Sequence, residues 1–153
     1  MASTFTANSG IEKPGSGEQA GTWGSTTNAN FDIIDRVSNG VGAVTLSGTT
    51  HTLTTTDGAL SDGHYKVLVL GGSPTVTISP NDQDQMYLVT NGTNQSATFT
   101  QGSGGNATIA AGKTKLIYAD GAGSGAAVTD ASSTLVAAGG TEESTDASPQ
   151  LGG

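Results

Sequence analysis

The chain has 153 residues and a formal net charge of −8, with 13 Asp and Glu against five Lys and Arg. So acidic a chain lacks the basic patch that a phosphate backbone needs, and nucleic acid is a poor partner. It has no cysteine, hence neither disulfides nor thiolate metal sites, and no apolar run of about 18 residues that would cross a membrane as a helix.

Leu, Ile, Val and Phe together fall below the roughly 20% at which a charged chain is expected to be disordered. Strand patterning nevertheless fills residues 40–130. A small core confined to that stretch is marginal by itself, and association of copies is a common remedy. The N-terminus has no basic segment followed by an apolar one, so synthesis in a cytoplasm without a secretory signal is expected.

Residues 1–24 are polar and rich in Gly, without a helix or strand period, and read as an extended arm. This arm either hangs loose or orders against a neighbouring subunit. Residues 25–39 read as a short amphipathic helix, Thr26 to Ser38. Ser25 is its N-cap, Ala29, Ile33 and Val37 form its stripe, Phe31 and Ile34 widen it, and Asn39-Gly40 stops it. Trp23, the single tryptophan, is expected to pack on the helix or on the β-domain for its area.

From Val41 the period switches to two. Strands are expected at 43–47, 50–55, 64–70, 75–79, 85–90, 95–100, 106–109, 113–119 and 126–129, separated by clusters of Gly, Asn, Asp and Pro. Asn91-Gly92-Thr93-Asn94 reads as a hairpin loop. In His64 to Leu70, Tyr65, Val67 and Val69 point one way while Lys66, Leu68 and Leu70 point the other. The expected fold is mostly β: an antiparallel β-sandwich, jelly-roll-like, over 40–130, with one short N-terminal helix and extended arms. Residues 131–153 lose all period and turn acidic through Glu142, Glu143 and Asp146, as a flexible tail would.

Two strands break the one-core pattern. Met86 to Val89 and Leu116 to Ala119 are apolar on both faces, whereas a sheet with one wet face alternates. The second face needs a cover, and another copy of the chain is the simplest one. Trp23, Phe31, Ile34, Leu68, Leu70, Tyr87 and Tyr118 are the candidate residues for that interface or for packing.

Catalytic, metal and cofactor sites are not expected. His51 and His64 have no cysteine nearby and no clustered ligands. Asp82-x-Asp84 lacks the Gly and Glu that complete a calcium loop. Gly121, Gly123 and Gly125 lead into a strand, without the helix N-terminus that holds a phosphate. No nucleophile elbow accompanies either histidine. A carbohydrate-binding module is the other reading of a domain this size, with Tyr87 and Tyr118 on a shared face contacting a host-surface glycan.

One pattern resembles a known family. Ile11-Glu12-Lys13-Pro14, then Gly21-Thr22-Trp23-Gly24 and Asn28 to Asp35, resemble a recurring N-terminal pattern of bacteriophage tail fibres. Leu53 to Leu70, Met86 to Thr93 and Ala111 to Gly121 are similar to the β-domain beside that pattern. The resemblance implies a structural protein of a tailed-phage virion, homotrimeric and without enzymatic activity, whose partners are itself and other tail or capsid proteins. A short fibre, a fibre adaptor and a capsid decoration or head-fibre protein all fit it.

Overall fold

The computed structural model describes residues 2–45, 48–72 and 75–133. Two short strands, β1 (Thr4–Phe5) and β2 (Glu12–Lys13), precede one helix, α1 (Trp23–Asn39). The β-domain follows as β3 (Val41–Val44), β4 (Thr50–Thr54), β5 (Val67–Leu70), β6 (Thr75–Ser79), β7 (Asp84–Asn91), β8 (Ala97–Thr100), β9 (Ala107–Ile109), β10 (Thr114–Asp120) and β11 (Val128–Asp130). The described residues are mostly β, with α1 ahead of the β-domain. Beyond Ser133 the expected acidic tail lies outside the described residues.

The strands form two mixed sheets, not antiparallel ones. Five strands lie in the order β11-β10-β7-β5-β3, and four in the order β4-β6-β8-β9. Strands β3, β5 and β7 are mutually parallel, as are β4, β6 and β8. The chain therefore coils, with each turn laying one strand in each sheet. Val41 faces Val67, which faces Leu88; Thr50 faces Thr75, which faces Thr98. Within these two sheets antiparallel pairing enters at one end, where β9 returns on β8 and β10 on β7, followed by β11; β1 and β2 form a separate antiparallel pair.

The expected hairpin at residues 91–94 is one of the links between sheets. Asn91, fully buried, explains why. Its Nδ2 donates to the carbonyls of Gln95 (2.8 Å) and Ile109 (2.9 Å). Its Oδ1 accepts from the Thr93 N–H (3.1 Å) and hydroxyl (2.7 Å). Every hydrogen-bonding position of the amide is used, and the network bends the chain out of β7 toward β8.

One core receives side chains from both sheets: Val44, Leu68, Leu70, Tyr87, Val89, Ile117 and Ala119 from the five-stranded sheet, and Leu53, Val76, Ile78, Phe99 and Ile109 from the four-stranded one. The segment expected as a strand from His64 begins instead as a 3-10 turn, Asp62–His64, and the strand starts at Val67. Tyr65 folds over Gly42, where an added Cβ would come within 2.3 Å of its ring. Arg36 caps the same ring at 4.5 Å, a cation–π contact that ties α1 to the core's end.

The helix begins earlier than expected. Gln19, at φ 62, turns the chain so that the N–H groups of Thr22 and Trp23 donate to its carbonyl. Thr22, not Ser25, is the N-cap, and it makes no side-chain cap bond. The Gly40 N–H donates to the Arg36 carbonyl and ends the helix as expected. Of the predicted stripe only Ile33 is fully buried.

The N-terminal arm bonds to its own chain. Asn30 on α1 exchanges two hydrogen bonds with the Glu12 backbone. The Gly58 N–H donates to the Gly10 carbonyl, and the Asp84 N–H to Asn8 Oδ1.

Candidate interaction surface

Side chains alternate across a strand, so each sheet has one face toward the core and one away from it. The outward face of the four-stranded sheet is almost wholly hydroxyl. Thr50, Thr52 and Thr54 stand beside Thr75, Thr77 and Ser79, and these beside Thr98 and Thr100. Thr suits an exposed strand position because its β-branch fits the pleat and its hydroxyl stays hydrated.

The five-stranded sheet is the reverse. Its middle row runs Val41, Val67, Leu88, Leu116 across four strands in register. On one side of it lie Ala43, Val69, Thr90 and Thr114; on the other, Met86, Tyr118 and Thr129. Met86 is 45% exposed and Leu88 40%. The only charged outward side chains on these strands are Asp84 and Asp120, opposite each other at one end. At about 4.8 Å per strand the apolar face is roughly 20 Å wide. A contiguous apolar face of this kind marks an interaction surface, and the threonine face of the same molecule supplies the contrast.

A second apolar strip lies on α1. Trp23 is 65% exposed, Phe31 61%, and Ile34 is exposed as well. At 100° per residue these three fall within about 80° of one another around the helix. Trp23 does not pack on the helix or the β-domain as expected; the turn at Gln19 leaves its ring in the open.

The seven candidate residues thus divide. Leu68, Leu70 and Tyr87 belong to the core. Trp23, Phe31, Ile34 and Tyr118 are exposed. Tyr87 and Tyr118 do not share a face, because Ile117, not Tyr118, is paired with Tyr87 and shares its inward orientation. The Tyr87 hydroxyl donates to the Gly63 carbonyl at 2.9 Å, and burial pushes the phenol well above its ordinary range.

A bowl of about 490 Å³ opens at the Asp84–Asp120 end of the apolar face. Val37, Tyr65, Met86 and Tyr118 give it an apolar lining; Asn8, Lys66, Gln85 and the two aspartates are its polar groups. Sequence reasoning found Tyr118 but not the bowl, whose walls come from the arm, α1, the His64–Lys66 segment and the paired strands β7 and β10.

His64 also borders the bowl but is fully committed. Its Nδ1 accepts from the Ser61 N–H at 3.1 Å, which leaves Nε2–H to donate to the Ser9 carbonyl at 3.1 Å. Burial lowers its pKa and keeps the ring neutral. His51 pairs with Asp62 at 2.7 Å. No cluster of three or more His, Asp or Glu poised for a metal occurs among the described residues.

No family model matches the chain, and comparisons with curated proteins and with solved structures find no significant match.

Proposed function

We propose that this chain is a non-enzymatic structural component of a tailed-bacteriophage virion, a tail fibre or fibre adaptor. It works as a homotrimer, by self-association and by attachment to the particle. The observation that carries the reading is the aliphatic outer face of the five-stranded sheet. Left in water it is a liability; covered by copies of the chain it completes the core that this Leu- and Ile-poor sequence only partly supplies. The resemblance of residues 11–121 to fibre sequences supplies the virion half of the proposal. A capsid decoration or head-fibre protein rests on the same surface and differs only in where it attaches.

Labelling purified particles with an antibody to the chain tests this. A signal confined to tails supports the fibre reading, one spread over the capsid supports decoration, and particles free of the chain overturn both. The carbohydrate-binding alternative loses ground with Tyr87 in the core, since one exposed tyrosine is a small platform for a sugar. Binding to host glycans on an array, lost in Tyr118→Ala, would restore it.

A further inference from the structure

We propose that the outer sheet face of one copy receives α1 of the next copy, with Trp23 seated in the bowl beside Tyr118. This rests on the homotrimer reading above. A ring of three can be closed head to tail, one surface of each copy meeting a different surface of the next. In that arrangement the apolar face meets another surface of the neighbouring chain. Among the described residues, the helix strip of Trp23, Phe31 and Ile34 is such a surface: apolar, exposed and carried by a separate element.

Lengths agree. From Trp23 to Ser38 the helix rises about 22 Å at 1.5 Å per residue. From Asp120 to Thr114 the strand runs about 20 Å. With the helix start over the Asp84–Asp120 row, Phe31 reaches the row of Leu88 and Leu116, and Ser38 reaches Thr90 and Thr114.

Charges favour this direction over the reverse. The first turn of α1 contains no acidic residue, so its partly positive N-terminus meets Asp84 and Asp120 without opposition. Asp32 and Asp35, later in the helix, come toward the end of the face where Lys113 is exposed. Reversing the helix would set those aspartates against Asp84 and Asp120.

The bowl then has an occupant. It lies where the helix start lands, Val37, Tyr65, Met86 and Tyr118 give it apolar walls, and Trp23 is the most exposed large apolar side chain among the described residues. A large aromatic anchor seated in a pocket is a usual form of an energetically dominant contact.

The single tryptophan makes the idea measurable, since all indole fluorescence is Trp23. Assembled protein should emit at shorter wavelength and resist acrylamide quenching, and dilution to monomer should reverse both. Geometry is read with Ser38→Cys and Thr114→Cys, in a chain that has no other cysteine. The double variant should oxidise to covalent dimers and trimers, while each single variant stays uncrosslinked. If light scattering finds trimers but Trp23 stays freely quenchable, the docking proposal fails and the homotrimer stands. The same holds if Thr114→Cys crosslinks alone, or if the double variant crosslinks only within a chain or not at all. A monomer by light scattering overturns both.

Discussion

Asn91 is the side chain that steers the chain from one sheet to the other, and replacing it tests how the coil is held. In Asn91→Ala the Ile109 carbonyl and the Thr93 N–H lose this partner, and the Gln95 carbonyl keeps one donor of two, the Thr93 hydroxyl at 2.9 Å. The Ile109 carbonyl is on the buried side of this network, and an unmet buried acceptor costs about 1–3 kcal/mol. The groups nearer the surface recover water and lose about 0.5 kcal/mol each. The expected loss is roughly 2–4 kcal/mol, a large share of the ~5–15 kcal/mol that holds a domain together, and Tm should fall by about 10 °C. Asn91→Asp is the sharper variant. It keeps the shape but sets an oxygen against two carbonyl oxygens, so the loss at neutral pH should exceed that of alanine and shrink on acidification, as protonation restores a donor. Urea unfolding followed by circular dichroism measures both. An Asn91→Ala protein within about 0.5 kcal/mol of wild type would refute the argument.

Burial holds the His64 pKa below its ordinary 6.5, so the unfolded chain takes up a proton at higher pH than the folded one. The stability from the neutral ring is complete above pH 6.5 and is lost as pH falls toward the folded-state value. Unfolding free energy should therefore drop as the pH falls below about 6.5, and His64→Gln should flatten that slope in the same titration. Gly121 sits at φ +61 with Asp84 and Gln83 around it, where a Cβ would lie 2.7 Å from the Gln83 carbonyl carbon. Gly121→Ala should cost more than about 1 kcal/mol in urea unfolding, and a neutral result would contradict the tight turn. Phe99→Ala, in the middle of the core, should lose about 3–5 kcal/mol, read from the same curves.

Much of the β-domain was legible from local pattern. Each of the nine expected strands has a counterpart between Val41 and Asp130, because alternation of large apolar and small polar residues reports which side is buried. It does not report which strand lies alongside. Thr50 and Thr75 pair across 25 residues of chain, and nothing in either segment names the other. Antiparallel neighbours and a hairpin at 91–94 are therefore the local expectation, when several turn clusters carry the chain between sheets; the Asn91 network that does this depends on Ile109, far along the sequence. The two-faced strands at Met86 and Leu116 were visible early, since an apolar residue at every position breaks alternation. The exposure of Trp23 was not legible because it depends on the turn at Gln19, the single residue at positive φ outside glycine among the described residues. The bowl was beyond reach, being assembled from five separate stretches.

The central claim is that the aliphatic face around Leu88 is covered by other copies of the chain. Light scattering coupled to size exclusion, on wild type and Leu88→Lys side by side, tests it most directly. Leu88 is already partly exposed, so the variant should fold with an unchanged circular dichroism spectrum. Wild type should elute at three times 15.0 kDa, about 45 kDa, and Leu88→Lys at 15.0 kDa. Wild type running at 15.0 kDa, or a lysine variant that still assembles, would contradict the account.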